Sequence, residues 1–138
     1  MIMSIGLDTS IVLRLLTGEP EEQSRKAFDF IDKCFADAVD VQVSDFVVLE
    51  AYHALIYHYE VPKSEAIQTL LSFLSSSFVK VSADSKKVLS EYKGTGAGLA
   101  DRMIRIDYLK HVDKIITFDV DFAKLENVRL LRSAGLQL

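Results

Sequence analysis

Five short apolar stretches punctuate the chain: "MSIGLD" at 3–8, "VDVQVS" at 39–44, "FVKVS" at 78–82, "KIITF" at 114–118 and "VRLL" at 128–131. Between them lie longer segments whose apolar residues recur mostly at helical spacing, too long for hairpin turns. Short strands joined through helices pair in parallel, because each crossover returns the chain to the end of the sheet where it began. An α/β fold is therefore predicted, a three-layer α/β/α sandwich around a mostly parallel sheet. At 138 residues and 49% hydrophobic, one domain spanning 1–138 is expected.

Helices are predicted over 10–16, over 21–38 and from a cap at Ser44 or Asp45 to about Tyr59, with another from Pro62. In the second, Ala27, Phe28, Ile31 and Phe35 form the candidate core face. The third, with the one carrying Ile67, Leu70, Leu71 and Leu74, is expected to form an apolar hairpin over 45–77. A charged helix, "ADSKKVLSEYK", leads into the glycine-rich "GTGAG" at 94–98, read as a flexible helix boundary. Another helix over 99–111 and a helical turn around 121–125 complete the pattern.

No apolar run reaches the roughly 18 residues needed to span a bilayer, and the first residues lack the basic region of a signal peptide. A cytoplasmic protein with no membrane association is expected. Cys34, at helical spacing with Phe28, Ile31 and Phe35, reads as a buried thiol. A net charge of −4 argues against a simple electrostatic nucleic-acid binder, although Lys86, Lys87, Lys93, Arg102, Arg105, Lys110 and Lys114 crowd one stretch.

Asp8 interrupts "SIGLDTSIVLRLL", where a lone carboxylate among apolar residues is costly unless compensated. It falls at the carboxyl end of the first strand, and Asp119 falls just past the fourth, in "IITFDVDF". In parallel sheets functional groups collect at those ends. For each alone, helix capping or turn formation is the more ordinary role. Glu50 shares its helix face with Phe46, Val47, His53, Ala54 and Tyr57, with no cation one turn away. Asp101 lies in the first turn of the helix after Gly98, where an acid also complements the helix dipole. If brought together, these four carboxylates would repel unless a cation compensated them. Hard oxygen donors without cysteine or paired histidines favour Mg²⁺ or Mn²⁺, and metal-assisted phosphoryl transfer suits such a set.

In order along the chain, "LDTSIVLRLLTGEP", "VVLEAYHAL", "GAGLADRMI" and "TFDVDFAKL" resemble the PIN-domain nucleases, most of all the toxin ribonucleases of type II toxin–antitoxin pairs (VapC-like). The resemblance implies that Asp8, Glu50, Asp101 and Asp119 are catalytic metal ligands for Mg²⁺ or Mn²⁺, with Asp121 as an accessory acid. It also implies Ser10 and Thr117 as supporting groups, RNA as substrate, an antitoxin partner and a homodimer lined by the 45–77 hairpin. Two positions depart from the family pattern. Arg102 stands where a small residue is common, which makes it a candidate phosphate ligand, and "TGEP" replaces a more acidic turn, leaving Glu19 a doubtful contributor.

Other readings stay open. A PIN-like scaffold or RNA-binding module without nuclease activity would share these patterns, as would a DNA-directed metal nuclease. The Glu-x-x-His spacing of Glu50 and His53 occurs in di-iron bundles, but those need two such motifs. "GTGAG" lacks the Lys-Ser/Thr ending of a phosphate loop.

Overall fold

The computed structural model describes residues 3–132. The chain divides between Ser90 and Glu91 into two compact units. In the first, β1 (Ser4–Leu7) pairs in parallel with β2 (Asp40–Val43), Ser4 opposite Asp40 and Leu7 opposite Val43. The crossover consists of α1 (Thr9–Thr17) and α2 (Glu21–Ala36). Asp8 has the extended backbone of an N-cap, and α1 stops at Gly18, whose φ of 72° lets its N–H reach the Arg14 carbonyl.

On α2 the buried face is Ser24, Ala27, Ile31 and Cys34. Cys34 is thus the expected buried thiol, whereas Phe28 and Phe35 are 48% and 62% exposed and do not join the core. Each follows a smaller residue, Ala27 or Cys34, that occupies the core face, and a helix turns the next side chain by about 100°. Phe35 instead meets Phe78 edge to face, with ring centroids 5.0 Å apart.

Ser44, not Asp45, caps α3 (Asp45–Tyr57), its hydroxyl accepting from the Phe46 N–H at 3.1 Å. Asp45 accepts hydrogen bonds from Ser82 at 2.6 Å and from the buried Ser85, tying α3 to the start of α5 (Ala83–Glu91). α3 packs against α4 (Lys63–Leu74) as the predicted hairpin, with Ala66, Ile67, Leu70 and Leu74 buried. The predicted third strand shrinks to one bridge, Gln42 to Lys80. Lys80 donates to Val41 and accepts from Val43, and its ammonium lies 2.7 Å from Asp40, whose carboxyl it holds below the usual range. Two residues later the Ser82 hydroxyl accepts from the Ser85 N–H, so a helix start displaces further strand pairing.

The second unit contains α6 (Leu99–Tyr108), shorter than predicted, and the parallel pair β3 (Ile115–Thr117) and β4 (Val128–Leu130). Between these strands, Phe122–Lys124 forms a 3₁₀ turn. Ile115, Phe122 and Val128 form a small core, with Leu109 and Leu125 packed on it. Arg105 ties α6 to the turn before β4 by donating to the Glu126 carbonyl at 2.8 Å. The chain is a mixed α/β protein with parallel strands, and among the described residues no helix is long and apolar enough to cross a membrane.

Candidate active site

Asp8 leaves the carboxyl end of β1 and opens α1. Its backbone carbonyl accepts the first helical N–H groups, from Ile11 and Val12, but its carboxylate makes no capping bond. That side chain is exposed and, among the described residues, accepts only from the Ser10 hydroxyl, at 3.3 Å. Glu50 on α3 accepts from the Thr9 hydroxyl at 3.1 Å. Successive residues thus touch the two acids: Asp8 is one of them, and Thr9 holds the other. The sequence points to Ser10 and not to Thr9, although both hydroxyls lie within two residues of the first acid.

The apolar surroundings expected for these two carboxylates are absent. Glu50 is exposed, with Phe46 and Tyr57 on its face 80% and 77% exposed. The buried face of α3 is Val48, Ala51, Tyr52 and Leu55, opposite Glu50. α3 is apolar on nearly every side, so its composition does not reveal which face turns inward. Both residues are exposed, so neither carboxylate bears the cost of sitting uncompensated in apolar surroundings. His53 stacks obliquely near Tyr52 and Tyr57, at 5.5 and 6.1 Å.

In the second unit Asp101 lies in the first turn of α6 and is half-buried. Burial pushes its carboxyl above the usual range, and the negative charge of Asp119 pushes it further the same way. Asp119 follows β3. Its N–H donates to the Thr117 hydroxyl at 3.0 Å, and its carboxylate accepts from the Phe122 N–H at 3.0 Å, which starts the 3₁₀ turn. Asp121, expected as an accessory acid, pairs with Lys124 at 3.3 Å. Arg102, expected as a phosphate ligand, turns back onto its own loop, donating to the Ala97 carbonyl at 2.8 Å.

Among the described residues Asp8, Glu50, Asp101 and Asp119 make no ion pair, whereas Glu21, Glu22, Asp40 and Asp121 do. Two of these four acids lie in each unit, and no described group of three or more His, Cys, Asp or Glu is gathered for a metal. The donors nevertheless suit a hard cation: all are carboxylate oxygens, none is neutralised by Lys or Arg, and Asp101 is destabilised by a like charge that a cation would offset.

A family model described as the PIN domain matches residues 5–128. The chain belongs to the PIN domain family. PIN domains are generally nucleases and typically use divalent metal ions. The match runs through both units of this PIN domain and includes Asp8, Glu50, Asp101 and Asp119. Comparison with curated proteins gives no match.

A stability test follows from Asp101. Folding raises its pKa, so the folded chain holds the proton more tightly than the unfolded one, and this contribution is lost as pH rises through the raised value. Asp101→Asn removes the opposed charge. At neutral pH the metal-free variant should melt above wild type, with the gain fading as pH falls into the ordinary aspartate range. A variant that melts lower across that range would show that the Asp101 charge is not opposed in the folded state.

Proposed function

We propose that this PIN domain is a divalent-metal-dependent endoribonuclease, and the toxin of a toxin–antitoxin pair. The observation that carries the reading is one family match that contains Asp8, Glu50, Asp101 and Asp119, none in an ion pair among the described residues, with Asp8 directly after β1 and Asp119 two residues beyond β3. Asp8, Glu50, Asp101 and Asp119 would hold Mg²⁺ or Mn²⁺. When bound, such an ion supplies charge neutralisation at the phosphodiester and activation of the attacking water. The residues' own part is to present anionic oxygens in fixed orientations. Ser10 steadies Asp8, Thr9 steadies Glu50, and Thr117 together with the Phe122 N–H steadies Asp119.

The finer parts rest on the resemblance to toxin ribonucleases. They are a cytoplasmic location, a cognate antitoxin that covers the acidic residues, and a homodimer through the 45–77 hairpin. Phe46 and Tyr57, the two most exposed aromatic residues of that hairpin, support a partnered surface there.

The test is digestion of end-labelled cellular RNA and sequence-matched DNA by the purified, inhibitor-free protein in Mg²⁺, Mn²⁺ or EDTA. Discrete RNA cuts that vanish in EDTA are expected. Cleavage of DNA alone would make the protein a DNA-directed nuclease, and cleavage of neither would favour an RNA-binding module.

A further inference from the structure

Arg102 is the departure from the family pattern that the phosphate-ligand reading leaves unexplained. α6 begins at Leu99 with Gly98 as its N-cap, and a glycine offers no side chain to hold the first turn. The loop before it is loose by composition: Gly94 and Gly96 take φ of 84° and 73°, and glycines lose the most backbone freedom on ordering. Something must fix where that turn sits, because Asp101 rides on it.

Arg102 does so. From one turn into α6 its guanidinium reaches back over the loop. Nε donates to the Ala97 carbonyl at 2.8 Å, and Nη2 lies 3.5 Å from the Thr95 carbonyl. Its Cζ stands 5.2 Å from the ring centroid of Tyr92, which is buried. At Gly96 a Cβ would stand 3.7 Å from Nη2, so the loop backbone runs close beside the guanidinium. One planar group thereby joins Tyr92 ahead of the loop, the loop itself and the first turn of the helix. Lysine lacks the plane and the directed pair of donors for this.

We infer that Arg102 is a positioning residue for Asp101, clamping the 94–98 loop so that the first turn of α6 presents its carboxylate to the metal. The inference rests on the metal-dependent nuclease reading. It also differs from phosphate binding in a measurable way: a phosphate contact governs substrate affinity, whereas a clamp governs metal affinity and turnover.

The experiment compares wild type, Arg102→Ala and Arg102→Lys in three measurements. These are Mn²⁺ titration by electron paramagnetic resonance, amide hydrogen exchange over 95–99 without metal, and steady-state cleavage of RNA at saturating Mn²⁺. In Arg102→Ala, Mn²⁺ affinity and kcat should fall roughly 10- to 100-fold, the scale for groups supporting a metal ligand. KM for RNA should hold, and exchange at 97–99 should quicken. Arg102→Lys should fall the same way, because charge alone does not reproduce the clamp; it carries the comparison if the alanine variant fails to fold. A raised KM with unchanged kcat, and a salt dependence of RNA binding shallower by about one ion, would identify a phosphate contact and overturn the inference. Unchanged Mn²⁺ affinity and exchange in both variants would also overturn it. Wild type that binds no Mn²⁺ and cuts no RNA would remove the nuclease reading first and this inference with it.

Discussion

Asp8→Asn should lower metal-dependent cleavage by at least about 100-fold, since removing a ligand costs no less than disturbing a group behind one. The substitution is nearly isosteric. The Asn carbonyl oxygen can still accept from Ser10, and the carboxylate it replaces is exposed and makes no cap bond, so the fold should be unaffected. Thermal melting separates loss of metal from loss of structure. A ligand that binds the folded chain stabilises it by RT ln(1 + [L]/Kd), about 2.7 kcal/mol at a hundredfold excess over Kd. Wild type should melt higher in Mn²⁺ than in EDTA, and Asp8→Asn should respond much less while melting like wild type in EDTA. Equal responses to Mn²⁺ would remove Asp8 from the metal site.

Leu70→Ala should cost about 2–5 kcal/mol of unfolding free energy. Leu70 is fully buried on α4, and Ala66 and Leu74, one turn to either side, are buried as completely. With Ala66 already the smallest core side chain there, little is available to fill the space a deleted isobutyl group leaves. The reading is a fall in the urea midpoint at unchanged slope. Lys87→Ala is the control: the residue is exposed on α5, outside the 45–77 hairpin, and a surface change of this kind is worth no more than about 0.5 kcal/mol. A Leu70→Ala loss as small as the control's would mean that α4 does not pack as described.

Much of the chain is legible from its pattern. β1, β2, β3 and β4 fall inside the apolar stretches, and the helices start at Asp8, Pro20, Ser44, Pro62 and Gly98 because caps, prolines and glycines act within one turn of the backbone. The acids at 8 and 119 are legible for the same reason, since their places follow from where strands end. What fails is anything that depends on facing. Phe28 and Phe35 look like core by hydrophobicity and lie outside it. Glu50 looks stranded among apolar neighbours and is solvated, because an all-apolar helix carries no mark of its inner side. "FVKVS" looks like a full strand and supplies one bridge, because the Asp45–Ser82–Ser85 contacts join residues some forty positions apart.

Local preference and the order of motifs are enough to specify the parallel α/β class and the PIN family, because both are written in spacing along the chain. Which hydroxyl holds which carboxylate, that Lys124 occupies Asp121 and that Arg102 closes its own glycine loop all depend on side-chain direction. Direction is set by packing between segments distant in sequence, where the gain of filling one face and the cost of leaving a polar group unpaired are decided together.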